Sequence, residues 1–218
     1  VYVASVLSKD QGLQDVFRQG GNFHSTIAKQ VFKLPCEVDE VPEFYSDRRQ
    51  QAKAVTFGIM FGAGPAKISW QVTKDSGKEF SMREAGRVIK DYFESFPNLK
   101  KWLDDCNGFI KTNAFIYSEL GRKRRLPNAK SKDKGIASHE VRSGINFLVQ
   151  SVASDINLLG AIDMQNYINR TGMKSKIFGL VHDSILAEVP EDEMEIYCDK
   201  LKFFVQRDRG ISIPNCPI

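Results

Sequence analysis

Apolar residues recur along this chain mostly at helical spacing, interrupted by short clusters of proline and glycine. The first such stretch predicts a helix from about Tyr2 to Leu7, and a second covers His24 to Phe32. Leu34 to Val41, where prolines bracket acidic residues, reads as a loop. A long helix is expected from Asp47, its N-cap, to Phe61, where Gly62-Ala63-Gly64-Pro65 stops it. Ser81-Met82-Arg83-Glu84 has capping-box spacing, and the periodicity after it runs through Tyr92 and Phe93. Pro97 restarts a helix carrying Leu99, Trp102 and Leu103, and Tyr117 to Pro127 is short, basic and turn-like. Val141 to Ile168 is helical, with Ile145, Leu148, Val149, Val152, Ile156 and Leu159 on its apolar side. Two β-rich runs, Ser175 to Val181 and Ile185 to Val189, flank His182-Asp183-Ser184 as a hairpin between buried strands, and a last helix covers Glu191 to Val205. The pattern predicts an α+β chain, a helical subdomain inserted before a small antiparallel sheet with its own helices.

Composition narrows this picture only a little. Hydrophobic residues make up 42% and charged residues 27% of 218, the mix of a globular protein. The net charge of +4 suits a polyanionic partner without requiring one. Cys36, Cys106, Cys198 and Cys216 form no Cys-x-x-Cys pair, which argues against zinc ligation and a disulfide framework; reduced, mostly packed thiols are expected. No uninterrupted apolar run approaches a membrane-spanning length, so no membrane partner and a cytoplasmic location are expected. The chain opens on Val1-Tyr2-Val3-Ala4 without a Met and stops at Asn215-Cys216-Pro217-Ile218, and both ends read as cut.

The expected helix over 47–61 carries Arg49, Lys53, Phe57 and Phe61 at four-residue intervals, which places them on one slanting stripe. Two cations near a helix N-terminus, followed by two rings, suit a triphosphate with a base or sugar beside it. An amphipathic helix with solvated cations and core phenylalanines accounts for the same spacing.

The residues Arg48-Arg49-Gln50-Gln51-Ala52-Lys53-Ala54-Val55-Thr56-Phe57-Gly58-Ile59-Met60-Phe61-Gly62 resemble the motif B helix of family A DNA polymerases, the bacterial DNA polymerase I type. The resemblance implies that Arg49 and Lys53 bind the incoming dNTP. It implies that Phe57 packs on its sugar and base, with discrimination against 3′-deoxy terminators. Phe61 stands where the family usually has Tyr. His24, in Asn22-Phe23-His24-Ser25-Thr26, matches the family's His near the triphosphate. Glu140-Val141-Arg142-Ser143-Gly144-Ile145-Asn146-Phe147-Leu148-Val149-Gln150 is similar to its Arg-x3-Asn-x3-Gln helix, which implies minor-groove contacts by Arg142, Asn146 and Gln150. Arg122, Lys123 and Arg124, in a run of four cations, are read as phosphate contacts on duplex DNA, a solvated loop being the plainer alternative.

Leu180-Val181-His182-Asp183-Ser184-Ile185 resembles motif C, Val-His-Asp-Glu. The resemblance makes Asp183 a catalytic metal ligand and His182 a primer contact, while Ser184 replaces the usual Glu; Glu188, nearby in sequence, is the candidate accessory carboxylate. Val1 to Ser8 resembles the segment that follows motif A, so the second catalytic Asp is expected outside this chain. The implied fold is a right-hand polymerase: residues 1–21 as palm remainder, 22–128 as fingers and 129–218 as truncated palm. The implied reaction is primer extension with two Mg²⁺ ions on primer-template DNA, the fragment being inactive without the missing N-terminal part. Two rivals stay open: a relative of single-subunit RNA polymerases, and a non-catalytic nucleic-acid-binding module.

Overall fold

A computed structural model describes residues 1–20 and 22–216. Gly21, Pro217 and Ile218, which close the expected first palm segment and the expected last one, lie outside the described residues.

The first ten elements, in order, are α1 (Tyr2–Ser8), α2 (Gln11–Arg18), α3 (Phe23–Phe32), α4 (Val41–Phe44), α5 (Ser46–Met60), α6 (Pro65–Ser76), α7 (Met82–Ser95), α8 (Pro97–Asn113), β1 (Phe115–Tyr117) and β2 (Lys123–Arg125). Then follow α9 (Lys134–Thr171), β3 (Lys176–Val181), β4 (Ser184–Glu188) and α10 (Met194–Gln206). The strands make two separate two-stranded sheets, β1-β2 and β3-β4. The chain divides into two compact units, one of 1–116 with 124–146 and one of 117–123 with 147–218.

In the first unit, α5 packs against α3 and α6, and α6 against α7. Ala52, Val55, Thr56, Ile59 and Met60 form the buried side of α5. Asp47 does not cap that helix: α5 starts at Ser46 directly after α4, and Asp47 sits inside the first turn, where its charge favours the helix dipole and pairs with Lys78. Gly62 stops α5 as expected, at φ +67, a left-handed conformation that glycine enters without a Cβ penalty. The chain then starts a new helix at Pro65, which the sequence pattern did not lead one to expect. Only Ile68 and Val72 of α6 are buried, too few for periodicity to stand out. The same holds for α2, which is tied down by Asp10. That buried carboxylate accepts from Leu13 N at 3.0 Å and from Leu99 N at 3.0 Å, so it caps both α2 and α8.

The Ser81–Glu84 capping box forms as read, and Tyr92 and Phe96 are fully buried while Phe93 and Trp102 are half-buried. The start of α9 lies at Lys134, a full two turns before Val141, because Asp133 Oδ1 accepts from Gly135 N and Ile136 N at 2.7 and 3.1 Å. Although no apolar run is unbroken, α9 is long and apolar enough to cross a membrane by length and composition, with an 18-residue window at mean hydropathy 1.3. Its buried Val152, Ile156, Met164 and Ile168 are used in packing, and Asp155 interrupts the same stretch.

In the second unit the β3-β4 hairpin lies on α9 and α10. Met164, Ile168 and Tyr197 are buried there, with Ile177, Ala187 and Val189 packed against them. Glu193 pins the strand entrance, accepting from Lys174 N at 2.7 Å and Ser175 N at 2.9 Å. The strands are not buried on both faces as expected: Phe178, Leu180, Val181 and Leu186 are exposed, because period-2 alternation leaves one face of a two-stranded sheet without cover. The four cysteines are free, and Cys198 is exposed rather than packed.

Candidate active site

The stripe on α5 faces outward. Phe57 is 39% exposed and Phe61 46% exposed, Lys53 is exposed, and Arg49 is half-buried in the first turn. This disposes of the plainer account of the spacing, which needs both rings in the core. Leaving two phenyl rings in water forgoes about 1.5–3 kcal/mol of burial each, so a surface of this kind calls for a ligand that covers it. A cavity of about 390 Å³ opens beside the stripe, lined by Gln50, Lys53, Phe57, Phe61 and Lys67.

α3 delivers a third polar group to the same face. His24 stands with its ring centroid 5.6 Å from that of Phe57, and its Nδ1 is buried without a hydrogen-bond partner among the described residues. Burial, with Lys53 and then Arg49 nearby, pushes its pKa down to about 4, so the ring is neutral at pH 7. Arg49 Nη2 donates to Asn22 Oδ1 at 3.2 Å, and the same oxygen accepts from Ser25 N at 3.4 Å as the cap of α3. Two cations and a helix N-terminus crowded together repel one another, and a polyanion relieves that repulsion.

Gly58 lets α6 approach this helix. A Cβ there would lie 2.7 Å from Ile68 Cγ1, and one on Gly62 would lie 2.6 Å from Arg142 Cγ. The Arg142 stem therefore rests on the turn that ends α5, with Nη1 donating to Ser138 Oγ at 2.6 Å. Asn146, one turn further along α9, is half-buried, and Gln150, a turn beyond it in the second unit, is exposed.

The basic run 122–125 is less uniform than its sequence suggests. Arg124 Nη2 donates to Ser143 Oγ at 2.7 Å within the first unit. In the second unit Lys123 Nζ lies 5.3 Å from the centre of the Tyr117 ring, while Arg122 makes a forked pair with the buried carboxylate of Asp155, Nε to Oδ1 at 2.7 Å and Nη2 to Oδ1 at 2.6 Å. Hydrogen bonding to Asp155 raises the Arg122 pKa further. Arg122 is thus a structural cation first, neutralised from below.

His182 and Asp183 form the two-residue tip of the β3-β4 hairpin, between the paired residues Val181 and Ser184, with His182 at φ +55. Both are exposed. Glu188 cannot be the accessory carboxylate: it pairs with Lys176 at the other end of the hairpin. Five strand residues at about 3.3 Å each put it roughly 15 Å from the tip. Among the described residues no group of three or more His, Cys, Asp and Glu side chains could hold a metal ion. Asp183 is a single carboxylate, which fits one ligand of an oxygen-bound cation and not a whole site.

Three residues of this face escaped the sequence reading: Asn22, Lys67 and Trp70. A helix begun at Pro65 would have placed Lys67, Trp70 and Lys74 at i, i+3 and i+7, and that spacing was the available signal.

A cation-and-ring stripe beside a neutral histidine, on a helix followed by a glycine-ended turn, defines a nucleotide-polymerising enzyme's nucleotide face. Residues 1–215 match the model of DNA polymerase family A, and the chain belongs to that family. It is 46% identical over its whole length to the DNA polymerase of Escherichia phage T5. It is 30% identical, over 95% of its length, to DNA polymerase I of Caldicellulosiruptor bescii. The chain spans 28% of the first relative and 23% of the second. Among solved structures it resembles the POL domain of Pol1 from M. smegmatis, in complex with DNA primer-template and dNTP, with a TM-score of 0.85 and 26% identity over 99% of this chain and 36% of that one.

Proposed function

We propose that this chain is the nucleotide-gripping part of a template-directed DNA polymerase, which extends a primer 3′-hydroxyl with dNTPs in the cytoplasm of a bacterial or phage-infected cell. The outward stripe of Arg49, Lys53, Phe57 and Phe61 carries the reading. Arg49 as a planar fork and Lys53 as a compact charge take the triphosphate, neutral His24 donates to it, and Phe57 lies against sugar and base. Residues 22–128 act as fingers, with 1–21 and 129–218 as palm. Arg142, Asn146 and Gln150 read the minor groove, while Lys123, Arg124 and the outer side of Arg122 meet phosphates. His182 touches the primer end.

Asp183, exposed at its hairpin tip, serves as one ligand of the divalent ions, two Mg²⁺ in the complete enzyme, with the other carboxylate supplied from outside these residues. When bound, such ions stabilise the attacking and leaving oxygens. Calorimetric titration of the 218-residue chain with dATP tests the grip. Arg49→Ala and Lys53→Ala should each weaken binding by roughly tenfold, the loss of one charge-assisted contact. Unchanged affinity in both variants would defeat the assignment.

A further inference from the structure

We propose that the outer face of α6 is a stacking platform for single-stranded DNA, the unpaired template ahead of the primer end, with Lys67, Trp70 and Lys74 as its contacts. The choice of strand rests on the polymerase reading above; the platform itself rests on α6. Positions 67, 70 and 74 fall within about 60° around a helix, and this arc points away from the buried Ile68 and Val72. Trp70 is 58% exposed, an unusual state for the residue with the largest apolar surface. Lys74 Nζ lies 5.0 Å from the centre of its ring.

An indole open to solvent between two lysines matches what a single strand offers, a π-face on each base and a phosphate between bases. The nearest carboxylate on the helix, Asp75, does not cancel this charge by pairing with either lysine; it accepts from Gln71 Nε2 at 2.8 and 2.9 Å. The platform is firmly seated. Ile68 packs under Gly58 of α5, and Ser69 Oγ donates to the Phe80 carbonyl at 2.7 Å. It is also continuous with the nucleotide face, since Lys67 lines the cavity that Lys53 and Phe57 line from the other side.

Trp70 and Trp102 are the two tryptophans of the chain, so Trp102→Phe leaves Trp70 as sole reporter. Titrating that variant with an oligothymidylate of about ten nucleotides should quench its emission to saturation. With the unaltered chain, anisotropy of the labelled oligonucleotide should show binding that Trp70→Ala weakens by roughly tenfold and Trp70→Phe largely preserves. Lys67→Ala with Lys74→Ala should flatten the log–log salt dependence by about 1.4, two phosphates' worth of released counterions. Oligonucleotide binding with unchanged Trp70 emission, and equal affinity in Trp70→Ala, would overturn the platform; so would no binding at all. Calorimetry with dATP on the same preparation reads the parent assignment separately. Loss of dATP binding with the quench intact condemns the polymerase grip alone, and the reverse condemns the platform alone.

Discussion

Substituting Lys53 by alanine should raise the pKa of a histidine on a different helix. His24 is held down to about 4, from an ordinary 6.5, by burial first, then by Lys53, then by Arg49, with a smaller push from the Val1 amine. A displacement of about 2.5 units corresponds to about 3 kcal/mol against charging the ring, and to less once water reaching a half-buried side chain is allowed for. Burial is the largest cause, so removing Lys53 returns only part, on the order of one unit. Because the folded pKa lies below the unfolded one, the native state binds fewer protons. Stability from this group is complete above about pH 6.5 and is lost as the pH falls to about 4, where it levels off. Proton NMR suits the test, since the chain has three histidines, and a His24→Gln variant assigns the resonance. A bound triphosphate offsets both cations and should pull the pKa back up, so dATP binding takes up a proton and tightens as pH falls from about 6.5 toward 4. An imidazole that titrates near 6.5 in the unaltered chain, or one indifferent to Lys53→Ala, would refute the reasoning.

Three further outcomes concern the frame around the site. Asp10→Ala strips the caps of both α2 and α8 and should lower stability by about 2–4 kcal/mol in urea titration, with a loss below 1 counting against the double cap. Gly58→Ala gains about 1 kcal/mol of helix propensity and costs about 1–3 through the Ile68 contact, for a net loss of up to about 2. Ile68→Val in the same chain should recover part of that loss, and additive effects would mean the two helices do not meet there. Arg122→Ala leaves Asp155 buried without its forked partner and should cost about 1.5–3 kcal/mol at neutral pH; a second change, Asp155→Asn, should restore some of it. If Arg122→Ala is neutral for folding, the arginine is free for DNA as the plain sequence reading had it.

The helices of this chain were legible wherever apolar residues repeat over three or more turns, as in α5, α7, α8 and α9, because burial of one face is the force that makes the repeat. The hairpin around Asp183 was legible too, since alternation and its two β-rich runs state a strand directly. Short α2 and α6 were not: each buries only two or three side chains, and α2 is held by Asp10, whose second acceptor contact lies 89 positions away. The stripe of Arg49, Lys53, Phe57 and Phe61 was visible as spacing and as a family likeness, but spacing is blind to direction. Only packing decided that Phe57 and Phe61 face solvent, that Arg122 is claimed by Asp155, and that Glu188 lies at the wrong end of its hairpin. The physical reason is the same in each case. Periodicity records which residues share a face, whereas the occupant of that face, whether core, counter-ion or water, comes from segments distant in the chain.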